Sequence, residues 1–271
     1  MVRGVRALLV AVAVLVALPA AADEPIETPI NVPSPIPVGF LLAWKPMVLS
    51  VRTDTGTGSQ YGSDTFQPFR LLGRYTTTLL DERMLARAEI EGGEFRTDSQ
   101  SVNGVVRIGS DGFDITGRLL IGTAVRINPG FMITGSTGLI SRLQRGRAVG
   151  GAPNIGVFGA TSNMELEFRV APLVSVSAFI EGGLLPWAYA EQRDLGVLSE
   201  TSEFRARLQA SIDISTRMSV DVGWDFTWWH ASFSESRILS PTNTPDQALL
   251  VEAREHALTI GLRWRPDPAR P

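Results

Sequence analysis

His230 and Ser232 form the pair of residues in this sequence that comes nearest to a catalytic nucleophile and its base. Along an extended strand, residues two positions apart point to the same face, so the imidazole could accept the proton of the hydroxyl. Glu235 or Glu252 could orient the imidazole as a third member of the group. The alternative is that His230, which follows two tryptophans, belongs to an interfacial belt and keeps its polar tip in water. Because His-x-Ser arises often by chance, the sequence favours this second interpretation over catalysis.

Charged residues that alternate with apolar ones along several segments form a second set that could do chemistry. A three-residue turn after the eighth strand-like segment would set Arg207 opposite Asp225. In the second hairpin, Arg74 would fall opposite Glu89 or Glu91. The residues predicted for this charged face are Arg74, Arg87, Glu89, Glu91, Arg118, Arg126, Glu165, Glu167, Arg169, Glu181, Arg205, Arg207, Asp221, Asp225 and Arg263.

Composition excludes several classes of function. The chain has no cysteine, which excludes a disulfide framework and a lipidated N-terminal cysteine. The formal net charge is −3, and a nucleic-acid partner is not expected because phosphate binding requires a basic surface. Metal-ligand spacing, phosphate-binding glycine loops and dinucleotide fingerprints are absent from any usable context in the sequence, so neither a metal nor a cofactor is predicted.

The elements that position these residues are β-strands. Residues 218–234 read MSVDVGWDFTWWHASFS, where large apolar and small or polar residues alternate with the period of two that is typical of a strand. The predicted strands are 40–53, 66–80, 84–95, 113–127, 131–141, 156–170, 173–187, 203–214, 218–234 and 250–265. The gaps between them alternate long and short, and residues 102–109 are interpreted as a hairpin extension of the second long loop.

The N-terminal segment is predicted to direct export. Arg3 and Arg6 precede an apolar run of about a dozen residues and then small residues, which is the layout of a cleaved signal peptide over 1–22. Without these two arginines the mature net charge is about −5. The proline-rich residues 23–39 are predicted to be a periplasmic lead-in, 40–265 a transmembrane barrel, and 266–271 a periplasmic tail.

The alternation of faces fits either a membrane barrel or a soluble β-sandwich. Strands of about 12–16 residues, the export signal and the positions of the aromatic residues favour the barrel. A closed barrel is expected to bring Trp44 and Trp264 side by side at the periplasmic interface. The residues predicted to face the lipid interfaces are Trp44, Trp187, Tyr189, Trp228, Trp229 and Trp264.

The mature chain resembles the bacterial (Gram-negative) outer-membrane β-barrel class: an all-β, antiparallel up-and-down barrel with short periplasmic turns and long extracellular loops. Its last strand, LTIGLRW over 258–264, is similar to the C-terminal recognition strand of that class, although RPDPARP follows the final aromatic residue. The resemblance implies an outer-membrane location. It also implies contact with outer-membrane lipids and lipopolysaccharide, and passage through the barrel-assembly machinery. It specifies no oligomeric state.

Two enzyme families share parts of this pattern. Omptin proteases also have ten strands and use paired aspartates with an Asp and a His. Here Asp225 and His230 are separated by an odd number of residues and should point to opposite faces, which argues against that activity. Outer-membrane lipid A deacylases carry a His-x-Ser on a barrel strand, as at His230 and Ser232.

The sequence therefore predicts a narrow, salt-bridged barrel with a structural or surface-interaction role and no catalysis, because the interior of about ten strands is little wider than its side chains. A narrow pore for ions or small solutes is the first alternative. An outer-leaflet lipid A hydrolase that uses His230 and Ser232 is the second.

Overall fold

The computed structural model of the protein describes residues 38–54, 60–79, 84–96, 100–102, 105–107, 111–146, 155–188, 197–236 and 247–265. The predicted signal peptide, most of the proline-rich segment, the C-terminal tail and Tyr189 lie outside these residues. No helix among the described residues is long and apolar enough to cross a membrane.

The described chain consists of β-strands. The strands are β1 (Gly39–Trp44), β2 (Met47–Asp54), β3 (Gln60–Gln67), β4 (Arg70–Leu79), β5 (Met84–Arg96), β6 (Gln100–Val102), β7 (Val105–Arg107), β8 (Asp111–Asn128), β9 (Phe131–Gly146), β10 (Ile155–Ala171), β11 (Val174–Ala188), β12 (Val197–Asp213), β13 (Met218–Ser236) and β14 (Gln247–Trp264).

These strands close into an antiparallel barrel of ten staves, as the alternation of the sequence predicts. β1 and β2 lie along β14 in one continuous register and form the first stave, interrupted only at Lys45 and Pro46. β3 and β4 form the second stave, with an irregularity at Pro68 and Phe69. The prediction of a ten-stranded up-and-down barrel is therefore confirmed.

The two rims of the barrel differ. Short connections, at 129–130, 172–173 and 214–217, lie at the same rim as the start of β1 and the end of β14; we call it the short-turn rim. The long connections lie at the opposite, long-loop rim. There β6 and β7 pair only with each other, which confirms the predicted hairpin extension of the second long loop.

Every long stave alternates between a buried inner face and an exposed or partly exposed outer face. On β13 the odd-numbered residues from Ser219 to Phe233 are buried and the even-numbered ones point outward. Asp225 and His230 accordingly lie on opposite faces of the wall, as their odd separation predicts. Two separate environments are thus built by one strand pattern, an interior and an outer wall.

A seam interrupts the described wall between β3 and β5. β4 pairs with β5 only as far as Arg70 and Gly93, where a Cβ on the glycine would collide with the carbonyl oxygen of Phe69. Beyond that point β3 has β2 as its only ladder partner among the described strands. The Gln67 side chain spans the seam, because its Nε2 donates to the Arg96 carbonyl at 2.9 Å and its Oε1 accepts from the Arg96 N–H at 3.0 Å.

Candidate functional sites inside the barrel and on its outer wall

The middle of the interior is filled by one network of ion pairs, which we call the charged layer. Its side chains are all at most 7% exposed, and each is joined to the others through contacts within 4.0 Å. Seven are cationic and seven anionic, so the layer is neutral. Its members are Lys45, Arg70, Arg74, Arg118, Arg142, Arg205 and Arg207 with Glu89, Glu91, Asp114, Glu181, Glu203, Asp225 and Glu255.

The charged layer crosses the lumen. Arg205 on β12 pairs with Glu89 on β5, and those staves lie five apart in a ring of ten, directly opposite each other. Arg142 on β9 pairs with Glu255 on β14, which are also five staves apart. Because guanidinium and carboxylate groups from opposite walls touch, the side chains span the interior at this level.

Glu89 is the hub of the network. Its carboxylate contacts four arginines: Arg205, Arg74 at 2.8 Å, Arg118 at 3.4 Å and Arg207 at 3.9 Å. A buried carboxylate is stable only when such partners replace its lost hydration. Arg207 also donates through Nε to Asp225 at 2.9 Å, across the β12–β13 ladder.

Both cross-strand pairs predicted from the sequence are present in the structure. Arg207 lies opposite Asp225, and Arg74 lies opposite Glu89. Six members of the charged layer are absent from the charged face that the sequence predicts: Lys45, Arg70, Asp114, Arg142, Glu203 and Glu255. Arg142 and Glu203 stood at or beyond the predicted strand ends. Extending the period of two by one or two residues would have found them, because both continue the inner face of their strand.

The remaining predicted charges lie nearer the short-turn rim. Arg87 pairs with Glu165 at 3.0 Å, and Arg263 pairs with Asp221 at 2.6 Å. Glu167 is half-buried beside this group. Arg126 is also only partly buried. Arg169 continues the inner face of β10 to the short-turn rim, where its side chain is 45% exposed and its Nε donates to the carbonyl oxygen of Pro172 in the short turn.

A second interior region, the apolar layer, lies mainly between the charged layer and the long-loop rim. Its members are Met47, Leu49, Val51, Ile140, Ile155, Val157, Leu185, Trp229, Ala231, Phe233, Val251, Ala253 and Ala257. The prediction that Trp229 faces an outer interface is wrong, because odd-numbered residues of β13 point inward and Trp229 is 2% exposed. The Arg142 guanidinium lies 4.7 Å from the centre of the Trp229 ring, which joins the two layers.

The outer wall carries an apolar band whose height suits a bilayer. On β13 the outward residues from Met218 to Trp228 are all apolar or aromatic. Ten residue steps of about 3.4 Å, tilted by about 40°, give a band about 26 Å high. Outer-membrane barrels have an apolar band about 25 Å tall.

The other aromatic residues predicted for the interfaces lie at different heights on the outer wall. Trp264 is outward at the short-turn edge of the band, and Trp187 is outward near the long-loop edge, where it stacks on Phe158 at 5.2 Å. The prediction that Trp44 and Trp264 lie side by side is wrong. Trp264 lies opposite Phe40, so Trp44 is four residues higher along the wall, within the band.

His230 is outward and lies just above Trp228, and its ring contacts two residues of β12. Its Nδ1 is 3.1 Å from the Ser202 hydroxyl, and its Nε2 is 3.8 Å from the Glu200 carboxylate. Ser232 faces outward one row higher, opposite Glu200. Glu252 accepts a hydrogen bond from Arg254 at 2.6 Å, and the side chain of Glu235 lies outside the described residues. The residues brought together are therefore His230, Ser202 and Glu200.

In the part of the chain that the structure describes, no group of three or more His, Asp or Glu side chains could hold a metal ion.

Comparisons with known proteins assign no activity to this chain. No protein-family model matches the sequence. No curated protein matches it either. Three of the similar solved structures are barrels of the class that the sequence resembles. The outer membrane protease OmpT from Escherichia coli is 12% identical, with 85% of this chain and 98% of that chain covered and a TM-score of 0.49. The translocator domain of the autotransporter NalP from Neisseria meningitidis is 11% identical, with 84% of this chain and 88% of that chain covered and a TM-score of 0.42. Neisserial surface protein A is 10% identical, with 84% of this chain and 97% of that chain covered and a TM-score of 0.33.

Proposed function

We propose that the protein is an integral β-barrel of the bacterial outer membrane whose interior is closed to solutes. Three observations support the membrane location: the band about 26 Å high on the outer wall, the short and long connections at opposite rims, and the signal-like N-terminal sequence. In this proposal the short-turn rim faces the periplasm. The surrounding partners are outer-membrane lipids and lipopolysaccharide, and the barrel-assembly machinery inserts the chain.

The observation that carries closure is the charged layer, above all the two pairs that join directly opposite staves. Arg205 with Glu89 and Arg142 with Glu255 place paired groups across the lumen, and every member of the layer is at most 7% exposed. Charged side chains that select ions in a channel line an open pore. Here these groups bind one another, and the apolar layer covers them on the long-loop side.

A closed barrel acts as a rigid scaffold in the membrane, with a structural or surface-interaction role. Ion pairs of the charged layer tie together nine of the ten staves, and the Arg87–Glu165 pair joins the tenth, β10, so the wall resists deformation. The surfaces that remain available for contacts are the outer wall and the long-loop rim. A narrow pore is the competing function, and it would require the charged and apolar layers to rearrange.

Conductance tests closure directly. The refolded chain is placed in a planar bilayer in KCl, after insertion has been verified in vesicles by protection of the barrel from added protease. We expect an inserted protein without discrete current steps. Reproducible single-channel steps from the wild-type chain would contradict closure and establish the pore. Failure to insert would contradict the membrane location itself.

A further inference from the structure

We propose that Ser202, His230 and Glu200 form a hydrolytic site for fatty-acyl esters of lipids in the outer leaflet. The inference goes beyond a closed scaffold and rests on its proposed position in the membrane. It differs from the His230–Ser232 pair predicted from the sequence, because the hydroxyl at hydrogen-bond distance from the imidazole belongs to the neighbouring strand.

The three side chains have the connectivity that a nucleophile, a base and an orienting acid require. The Ser202 Oγ and His230 Nδ1 are 3.1 Å apart, within hydrogen-bond range. The other ring nitrogen faces the Glu200 carboxylate at 3.8 Å. The Glu200 side chain is 71% exposed and is free to close this distance, whereas the His230 side chain is 19% exposed and held.

The backbone fixes Ser202 and His230 as direct cross-strand neighbours. They are register partners in the β12–β13 ladder, one of the longest in the barrel. On the inner side, Thr201 donates through its hydroxyl to the His230 carbonyl at 2.7 Å, which holds the two strands together at this row. A site on paired strands keeps its geometry better than a site on loops.

The depth of the site indicates the substrate. Trp228 marks the upper edge of the apolar band, and His230 is the next outward residue on the same strand, about 5 Å higher when the strand is tilted. The ester bonds of membrane lipids lie at this level, between the hydrocarbon and the headgroups. Interfacial aromatic residues such as Trp228 are typical of the same depth.

The surroundings of the site match the two halves of a lipid. On one side of Ser202, Leu184 is its cross-strand partner and is 66% exposed, and Phe204 lies one row lower and is 41% exposed. On the other side of His230 lie Glu252 and Arg254, an exposed charged pair on β14. An acyl chain would extend down the apolar side, and a polar headgroup would remain on the charged side.

The proposed reaction uses water as its second reactant. The Ser202 Oγ attacks the ester carbonyl carbon while its proton passes to the His230 Nδ1. The bond from that carbon to the alcohol oxygen then breaks, and the leaving oxygen takes the proton from Nδ1. Water repeats the sequence on the acyl-serine: its oxygen bonds to the carbonyl carbon, its proton passes through Nδ1, and the serine oxygen leaves with that proton. The products are a free fatty acid and a lipid with one acyl chain fewer.

A covalent probe tests the nucleophile independently of the natural lipid. The full chain, folded in detergent micelles, is incubated with a fluorophosphonate that labels activated serines, and the labelled residue is found by mass spectrometry. We expect one adduct, on Ser202, which Ser202→Ala abolishes and which His230→Asn slows by about 100-fold or more. Ser232→Ala, on the same outward face, is the matched control and should label at the wild-type rate.

Absence of labelling in the folded wild-type chain, or labelling on Ser232, would overturn the site. A short-chain p-nitrophenyl ester provides the second measurement in detergent, where Ser202→Ala should lower the rate by at least about 100-fold. Both assays work without a bilayer, so they separate failure of this site from failure of membrane insertion. Unchanged ester hydrolysis by Ser202→Ala would also overturn the proposal.

Two lipid sources are compared by reconstitution. Vesicles of phosphatidylethanolamine and phosphatidylglycerol test glycerophospholipid esters, and vesicles that also contain lipopolysaccharide test its ester-linked acyl chains. Release of fatty acid from one source and its loss in Ser202→Ala would identify the substrate. Release from neither source by inserted protein would refute lipid-ester hydrolysis.

Glu200 is proposed as a positioning residue, since it touches the imidazole and not the ester. Glu200→Gln should lower kcat of the ester assay by about 10-fold and leave KM within about twofold. A purely structural role would instead change neither constant. The stoichiometry of fluorophosphonate labelling should stay at one per chain, with a slower rate.

Discussion

The barrel closes its interior by two different means at two heights. The charged layer uses fourteen side chains whose partners are specific atoms on other staves, such as Arg205 with Glu89 across the lumen. The apolar layer uses residues such as Leu49, Trp229 and Phe233, which pack without directional bonds. Both regions are buried to a similar extent, so burial alone does not distinguish them.

The difference lies in what each layer tolerates. In the charged layer every carboxylate offsets part of a guanidinium charge, so removing one partner leaves an uncompensated charge in a dry site. In the apolar layer removing a side chain leaves a cavity, which neighbours can partly fill. A change of shape should therefore matter most in the apolar layer, and a change of charge in the charged layer.

The largest effect is expected from Glu89→Gln, which preserves shape and removes charge. Four arginines lose a shared anion, and the free energy of unfolding should fall by about 3–5 kcal/mol. Urea unfolding of the refolded barrel in micelles, followed by tryptophan fluorescence, measures the loss. Glu94→Gln, at an exposed position of the same strand, should change it by less than about 0.5 kcal/mol. Equal losses of stability at the two positions would contradict the central role of Glu89 in the charged layer.

Substitutions of Leu49 change the shape of a side chain in the apolar layer without changing its charge. Leu49→Ala should lower the free energy of unfolding by about 3 kcal/mol, because the side chain is 5% exposed and its removal leaves a cavity. Leu49→Met conserves volume and should cost less than about 1.5 kcal/mol. The same unfolding measurement applies. A larger loss for Met than for Ala would mean that packing does not govern this layer.

A double-mutant cycle measures how strongly the charged layer is coupled. Arg207→Ala and Asp225→Ala should be non-additive by about 1–3 kcal/mol, since each buried charge depends on the other. Arg96 and Asp111 form an exposed pair at 2.9 Å, and the same cycle there should give about 0.2–1 kcal/mol. Additive effects at Arg207 and Asp225 would remove that pair from the network.

The smallest effect is expected at the boundary of the layers. Trp229→Phe keeps an aromatic ring inside the barrel and weakens its interaction with the Arg142 guanidinium, at a cost of about 1 kcal/mol. The urea concentration at the midpoint of unfolding should therefore fall slightly. A loss as large as that of Glu89→Gln would show that the two layers act as one unit.

Much of the fold could be predicted because a barrel strand is specified locally. The inner and outer faces of β13 follow from alternate residues between Met218 and Ser234. The turn after β12 then sets Arg207 opposite Asp225. Errors arose where the pattern was not followed far enough: Trp229 was assigned to the outer wall although it continues the inner face of Asp225 and Thr227.

The candidate site was predicted only in part, because it depends on a neighbouring strand. His-x-Ser on β13 drew attention to Ser232, but the register that sets Arg207 opposite Asp225 also sets Ser202 opposite His230, one residue before the predicted start of that strand at 203. A sequence period of two specifies which face a residue occupies. It does not specify which residue of the next strand lies beside it, because that depends on the register of the whole ladder.

The sequence by itself determined the number of staves, their two faces and the alternation of short and long connections, because strand geometry and turn chemistry act over a few residues. Only the tertiary structure decided which charges meet across the lumen, that seven cations balance seven anions there, and that His230 contacts Ser202. Those contacts join residues 28 to 116 positions apart in the chain. The contacts across the lumen are set by closure of the whole ring, and no local pattern contains them.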